Sequence, residues 1–302
     1  MLIGAIADDI TGATDLCLML AREGLRTVQI IGVPDEKNLP DAEAIVIALK
    51  SRSLPAAQAV EMSVAAASLL RAGGAEQLLF KYCSTFDSTD AGNIGPVIEA
   101  LLTLTSCDLT IACPSFPAAG RTTTYRGHLF VGDALLSDSP LKDHPLNPMH
   151  DANLVRVLAR QTALPVGLVT IDTIAQGQAA VRQAFAVQRA AGKRILIVDT
   201  LQDADLRTIG AACSDMPLVT GGSGIALGLA ANFVRAGRLR HAQRGRGWLC
   251  RKGEQWYWQG HARWRRAGRL RRHGRRVCRR LALMSMRCCP VGKALPVWQT
   301  GR

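Results

Sequence analysis

Short apolar runs rich in β-branched residues alternate with longer Ala/Leu-rich segments through residues 1–237. The short runs have the length of buried strands, and the longer segments repeat apolar residues at helical spacing. This alternation is typical of an α/β fold in which a largely parallel sheet is flanked by helices. The predicted strands cover residues 2–7, 27–32, 44–49, 78–82, 108–113, 166–172, 194–199 and 216–220. The predicted helices cover residues 12–23, 55–72, 93–104, 151–161, 174–191, 203–213 and 223–235.

The segment 113–149 fits neither pattern, because it is long and polar and carries Pro, Gly, Arg, His and Asp. Long irregular stretches inside compact domains are more often functional than idle. We therefore predict a long irregular loop here that contributes to a binding site.

Residues 238–302 differ in composition from everything before them. They hold 19 of the 37 Lys and Arg residues, all five Trp, and a single acidic residue, Glu254. Arg, Trp, Gly and Cys are residues that a GC-rich gene yields when it is read out of frame. We interpret residues 1–237 as an enzyme-like domain and residues 238–302 as a poorly ordered, out-of-frame Arg/Trp-rich tail. The alternative is a nucleic-acid-binding arm, in which basic and aromatic side chains contact phosphates and bases.

The charge and the cysteines narrow the class of protein. The net charge of +13 comes from the tail, because residues 1–237 are mildly acidic. No apolar run reaches the roughly 18 residues of a transmembrane helix, and the chain starts without the basic flank of a signal peptide. The nine cysteines show no zinc-type spacing. We expect a cytoplasmic protein with reduced cysteines and no membrane partner.

Charged and hydroxyl side chains gather where the predicted strands end, which is where open α/β sheets bind ligands. These residues are Asp8, Asp9, Lys50, Arg52, Lys81, Asp87, Ser88, Arg121 and His128. Arg and Lys bind carboxylates, whereas Asp, Ser and Thr bind hydroxyl groups. The set predicts a pocket for a small polyhydroxylated anion. The alternative for the first strand end is that Asp9 or Thr11 only caps the helix that follows.

Long motifs in this region resemble the family of four-carbon acid sugar kinases. The motifs are D-D-I-T-G-A-T-D from Asp8, L-K-S-R-S from Leu49, K-Y-C-S-T-F-D-S-T from Lys81, G-N-I-G-P-V from Gly92, C-P-S-F-P-A-A-G-R from Cys113, G-H-L-F-V-G-D from Gly127, D-H-P-L-N-P-M from Asp143 and T-G-G-S-G-I-A-L-G-L from Thr220. The form of the block from Lys81 is most similar to the 3-oxo-tetronate kinase branch. The resemblance covers residues 2 to about 236.

The resemblance implies a two-domain kinase whose first domain binds the acid sugar and whose second carries most ATP contacts. The implied reaction uses ATP and Mg²⁺ to phosphorylate the 4-hydroxyl of a 3-oxo-tetronate, with Asp8 or Asp9 as the base or metal-side carboxylate. The substrate carboxylate is assigned to the cations Lys50, Arg52, Lys81 and Arg121, and the hydroxyl or keto groups to Asp87, Ser88 and His128. Gly221, Gly222, Ser223 and Gly224 either cradle an ATP phosphate or form a tight strand–helix turn. Ligands for the metal are not assigned.

The family pattern gives way to the tail after Ala236, where the second domain is expected to begin. We therefore expect a truncated or frameshifted kinase with weak or no activity. Two alternatives are kept, a non-catalytic sugar-acid-binding domain and a nucleic-acid-associated protein that acts through its basic tail. The expected partner is a small four-carbon sugar acid, and formation of a homo-oligomer is left open.

Overall fold

The computed structural model describes residues 1–34, 39–239, 248–252 and 255–259, which all fall within one compact unit, Met1–Ala262. Ten strands form its main sheet: β1 (Ile3–Ala7), β2 (Thr27–Ile31), β3 (Ala44–Ala48), β4 (Gln77–Lys81), β5 (Thr110–Cys113), β9 (Val166–Val169), β10 (Ile195–Val198), β11 (Leu218–Gly221), β12 (Trp248–Lys252) and β13 (Gln255–Gln259). A second, small sheet contains β6 (Thr122–Tyr125), β7 (His128–Val131) and β8 (Ala134–Leu135).

The strand order of the main sheet is β13-β12-β2-β3-β1-β4-β11-β5-β10-β9. All neighbours are parallel except the pair of β12 and β13. The strand β1 lies between β3 and β4, so the chain reverses its direction of travel across the sheet there. In open α/β sheets such a reversal opens a crevice at the carboxyl ends of the strands.

Helices cover both faces of the sheet. Their bounds are α1 (Ile10–Arg22), α2 (Ala56–Ala72), α3 (Ile94–Thr105), α4 (Leu154–Ala159), α5 (Ile171–Ile174), α6 (Gln178–Ala190), α7 (Asp203–Ala212) and α8 (Ala226–Arg235). Apolar side chains of α1 and α5–α8 build one core with one face of the strands. Those of α2–α4 build a second core on the opposite face. Alternate strand residues enter the two cores, because successive side chains of a strand point to opposite faces.

The predicted α/β fold is confirmed, and all eight predicted strands are present with bounds shifted by a few residues. The seven predicted helices are also present, but the one predicted over 174–191 is interrupted. Gly177 has a φ of +91° and separates α5 from α6. A left-handed backbone of this kind suits glycine and cannot continue a helix.

The segment 113–149 is less irregular than predicted. It contains the small antiparallel sheet β6–β8 and three short 3₁₀ segments, Pro117–Ala119, Leu136–Asp138 and Pro140–Asp143. Each strand has only two to four residues, which is too short to establish an alternating pattern in the sequence.

The hairpin of β12 and β13 extends the sheet beyond β2, and β12 pairs with β2 in parallel. The sequence pattern did not predict these two strands, although their Trp-Tyr-Trp stretch suits a pleated surface. The rest of the predicted poorly ordered tail lies outside the described residues, so that interpretation stays a prediction. Within the part of the chain that the structure describes, no helix combines the length and the apolar character needed to cross a membrane.

Candidate functional site

A pocket of about 310 Å³ opens at the carboxyl ends of β1 and β3. The beginning of α1 forms one wall, and the turn after β3 forms the other. Its lining residues are Asp8, Asp9, Ile10, Thr11, Lys50, Arg52, Ser53 and Leu54. The pocket therefore lies at the crevice beside β1 where the strand order predicts a ligand site.

Arg52 joins three carboxylates at this pocket. Its Nε and Nη2 donate to Asp8 Oδ2 and Oδ1 at 2.8 and 2.9 Å, and Nη2 also donates to Asp9 Oδ1 at 2.6 Å. Its Nη1 lies 3.5 Å from Asp87 Oδ2. The fork of a guanidinium matches a carboxylate in this bidentate way, which fixes the orientation of both groups. The sequence-predicted residues Asp8, Asp9, Arg52 and Asp87 are thus brought together.

The two adjacent aspartates have different surroundings. The side chain of Asp8 is 5% exposed, whereas that of Asp9 is 26% exposed. Burial raises the pKa of Asp8, although Arg52 and Lys81 oppose this shift. Burial acts in the same direction on Asp9, but the charges of Lys81 and Arg52 outweigh it and lower its pKa. Asp9 is therefore the more accessible and the more firmly ionised of the two.

Asp9 also caps α1, because its Oδ1 accepts a hydrogen bond from the N–H of Gly12 at 3.1 Å. The expected capping role and the expected site role therefore fall on one residue. The contacts from Gly12, Arg52 and Lys81 all use Oδ1 of Asp9, and the carboxylate is partly exposed to the pocket.

Lys81 is 3% exposed and ends β4 next to β1. Its Nζ lies 3.5 Å from Asp9 Oδ1, which is its one ion pair among the described residues. A Cβ on Gly12 would collide with this Nζ. Glycine at the first turn of α1 therefore makes room for the buried ammonium group, and the motif D-D-I-T-G has a steric reason for its last residue.

Asp87 is held in a left-handed backbone conformation. Phe86 and Asp87 have φ values of 65° and 38°, which are uncommon for residues other than glycine. Asp87 Oδ1 accepts a hydrogen bond from Thr85 Oγ1 at 2.6 Å. Unusual backbone angles of this kind tend to occur at functional sites, where the surrounding structure holds them.

The remaining predicted substrate residues are more dispersed. Lys50 lines the pocket and is exposed. Arg121 is exposed too, and its charge acts on Asp15 and Cys83 near the pocket. Neither cation forms an ion pair with another residue in the described ranges.

Two predicted residues are occupied elsewhere. Ser88 is buried and accepts a hydrogen bond from Gln161 at 3.0 Å. His128 lies on β7, where Nδ1 is 3.0 Å from the carbonyl of Arg126 and Nε2 is 3.3 Å from Asn153 Nδ2. These contacts do not join Ser88 or His128 to the aspartates.

The predicted phosphate segment Gly221–Gly224 is buried between strand ends. A Cβ on Gly221, Gly222 or Gly224 would collide with the backbone carbonyls of residues 113–115. Close packing of β11 on β5 thus explains these glycines, and Ser223 Oγ donates to the carbonyl of Gly12. This arrangement does not fit an open ATP cradle, so a role in ATP binding stays a prediction.

The described residues also do not form an evident Mg²⁺ centre. No group of three or more His, Cys, Asp or Glu side chains is placed to hold a metal within the described ranges. Both oxygens of Asp8 already accept hydrogen bonds from Arg52. The described residues of the pocket therefore do not fit a bound Mg²⁺ ion.

Sequence reasoning missed two polar residues near the pocket. Asp15 lies on α1, and burial raises its pKa against the opposing charges of Lys81 and Arg121. Asn93 donates from Nδ2 to three backbone carbonyls of the turn that lines the pocket. Asn93 begins the predicted helix 93–104, where an asparagine is expected to cap the helix, so the sequence contained no signal for this contact.

Residues 3–229 match a family described as a sugar-binding N-terminal domain. The chain belongs to this family. A 3-oxo-tetronate kinase of Burkholderia multivorans is 63% identical over 238 residues, which are 79% of this chain and 55% of that protein. The predicted resemblance to acid sugar kinases is thus confirmed for the N-terminal domain.

Solved structures show the same fold. A Haemophilus influenzae protein is 46% identical with a TM-score of 0.74, over 78% of this chain and 56% of that one. A Bordetella bronchiseptica protein is 26% identical with a TM-score of 0.65, over 78% of this chain and 58% of that one. Its crystals contain bound citrate and a domain-swapped dimer. This chain spans about half the length of the relatives it matches.

Proposed function

We propose that residues 1–237 form the acid-sugar-binding half of a kinase that phosphorylates the 4-hydroxyl of a 3-oxo-tetronate. The observation that carries the proposal is the pair of Asp8 and Asp9, which Arg52 holds at the mouth of a pocket beside Lys50. The name of the Burkholderia relative supports the reaction, and the citrate bound to the Bordetella protein supports a small hydroxy-carboxylic acid as the ligand.

Asp9 is the proposed base, which accepts the proton of the 4-hydroxyl group as that oxygen bonds to the transferred phosphorus. Its carboxylate is partly exposed in the pocket, and the charges of Lys81 and Arg52 lower its pKa against the effect of burial, which favours the ionised form. Phosphoryl transfer depends more on orientation and charge than on a strong base, so an ionised carboxylate with a low pKa is sufficient. Asp8 acts behind it, because both of its oxygens hold the guanidinium of Arg52.

Lys50 and Arg121 are the proposed ligands of the substrate carboxylate. Arg52 and Lys81 were candidates too, but Arg52 is shared by three carboxylates and Lys81 is buried against Asp9. Lys50 and Arg121 are exposed and pair with no other carboxylate of the described residues. ATP is the proposed donor because the relatives are named as kinases, and Mg²⁺ is the cofactor that phosphoryl transfer from ATP generally uses.

Titration calorimetry of the 302-residue chain with four-carbon sugar acids tests the assignment. Lys50→Ala and Arg121→Ala should each weaken binding roughly tenfold, which corresponds to about 1.4 kcal/mol. Arg71→Ala is the matched control, because this exposed arginine contacts the carbonyl of Leu104 and does not line the pocket.

Three outcomes would count against the proposal. Unchanged binding in both Lys50→Ala and Arg121→Ala would remove these cations from the substrate site. Failure of the unaltered chain to bind any tetronate would overturn the assignment of the pocket to sugar acids. Binding without turnover in any longer, two-domain version would favour the non-catalytic sugar-acid-binding domain.

A further inference from the structure

We infer that Asn93 is a positioning residue, whose carboxamide holds the turn 51–54 and thereby sets the pocket wall that carries Arg52. The inference rests on the proposed function, because it concerns the same pocket. Asn93 Nδ2 lies 2.8 Å from the carbonyl oxygen of Ser51, 3.2 Å from that of Arg52 and 3.0 Å from that of Leu54. Asn93 itself is 4% exposed.

The turn is held from the opposite side by β1. The N–H groups of Ser51 and Arg52 donate to the carbonyl of Asp8 at 2.9 and 3.3 Å. The backbone of Arg52 is therefore fixed through its N–H by the end of β1 and through its carbonyl by Asn93. A guanidinium that must meet three carboxylates at once needs its backbone held in this way, because small displacements break bidentate geometry.

The side chain of Asn93 does not cap α3, although its place at the start of that helix predicts a capping role. It stands at the N-cap of α3, yet its side chain makes no capping hydrogen bond. Gln161 supplies that bond instead, because its Oε1 accepts from the N–H of Gly95 at 3.1 Å. An asparagine at an N-cap normally accepts from the helix. Here another side chain accepts from that helix, while the amide of Asn93 donates to the pocket turn.

Hydrogen exchange of the 302-residue chain tests, without any ligand, whether Asn93 holds the turn 51–54. In Asn93→Ala, the amides of Ser51 and Arg52 should exchange at least tenfold faster than in the unaltered chain. Gln77→Ala is the matched control, since Gln77 Nε2 is a buried donor to the carbonyls of Cys213 and Met216 at 2.9 and 2.8 Å. This control also loses hydrogen bonds from a buried side-chain amide to backbone carbonyls, but the exchange rates of the Ser51 and Arg52 amides should not change.

A binding cycle then tests whether Asn93 acts through Arg52. Asn93→Ala should weaken binding of a four-carbon sugar acid at least fivefold alone, but less than twofold when Arg52→Ala is already present. Asn93→Ser, which keeps a shorter donor, should be intermediate in both measurements and replaces the alanine variant if that does not fold.

Unchanged exchange at Ser51 and Arg52 would overturn the inference, and so would additive losses of binding in the cycle. If no sugar acid binds the unaltered chain, the proposed function fails, while the exchange measurement still decides the role of Asn93. The two proposals can therefore fail separately.

Discussion

Asp8 and Asp9 share one arginine but differ in exposure, and as a result their hydrogen bonds and their pKa values differ as well. Asp8 uses both oxygens on Arg52, whereas Asp9 shares one oxygen among Gly12, Arg52 and Lys81. The buried carboxylate orients the cation, and the exposed carboxylate faces the pocket. Neighbouring groups of one residue type thus take separate roles because burial and charge shift their pKa values in opposite directions.

The opposite shifts predict opposite dependences of stability on pH. Because the pKa of Asp9 is lowered, its contribution is present above the usual value of 3.8 and is lost as the pH falls. The destabilisation caused by Asp9→Asn should therefore grow as the pH rises. Because the pKa of Asp8 is raised, its contribution is present below 3.8 and is lost as the pH rises. The destabilisation caused by Asp8→Asn should therefore shrink over the same range.

Urea denaturation of both variants between about pH 3 and about pH 7 measures this difference. Each variant is the matched control of the other, since both replace one carboxylate beside the same arginine with an isosteric amide. Parallel curves for the two variants would show that Arg52 and Lys81 do not separate these aspartates.

At the scale of elements, the sequence was sufficient wherever a strand or helix buries a repeating apolar face. The eight predicted strands and their helices follow from that pattern because each contributes apolar side chains to a core. The strand ends then brought Asp8, Asp9, Arg52 and Asp87 together, as the sheet rule predicts. Ser88 follows β4 and His128 begins β7, but their partners Gln161 and Asn153 lie just after and just before α4, which no periodicity reveals.

The small sheet β6–β8 could not be predicted from periodicity, because polar contacts attach it to the main sheet. Asp199 is fully buried after β10 and accepts hydrogen bonds from the N–H groups of Arg126, Gly127 and Ile171 at 2.8, 2.9 and 3.0 Å. One side chain therefore joins the turn between β6 and β7 to the start of α5. A lone aspartate after a strand carries no sign of such distant partners.

Asp199→Ala should destabilise the fold by at least about 2 kcal/mol, because it leaves the buried N–H of Gly127 and the partly buried N–H groups of Arg126 and Ile171 without their acceptor. Denaturant unfolding measures the loss, and hydrogen exchange should show the largest local change at residues 122–131. Asp215→Ala is the matched control, since its exposed carboxylate pairs with Arg182, and its effect should stay within about 0.5 kcal/mol. Equal effects of the two variants would contradict an anchoring role for Asp199.

At the scale of the whole molecule, the family match ends at residue 229, and the composition changes at about residue 238. The residues that line the pocket all precede this change, since they follow the ends of β1 and β3. Binding of the acid and transfer of a phosphoryl group therefore place different demands on the chain. In the proposed function, the first step uses the pocket of residues 1–237, whereas the second also requires a donor phosphate held in line with the acceptor hydroxyl.

An assay of ATP consumption with 3-oxo-tetronates separates these two demands. Orientation of the reacting groups supplies about 7–11 kcal/mol of a barrier reduction, so contact with ATP without orientation gives little rate. We expect no more than trace turnover from the 302-residue chain. A chimera that joins residues 1–237 to the second half of the Burkholderia multivorans relative should turn over readily, and Asp9→Asn in that chimera should abolish most of its activity. Comparable turnover by the 302-residue chain would instead locate the ATP site within residues 1–237, with the segment Gly221–Gly224 as the first place to mutate.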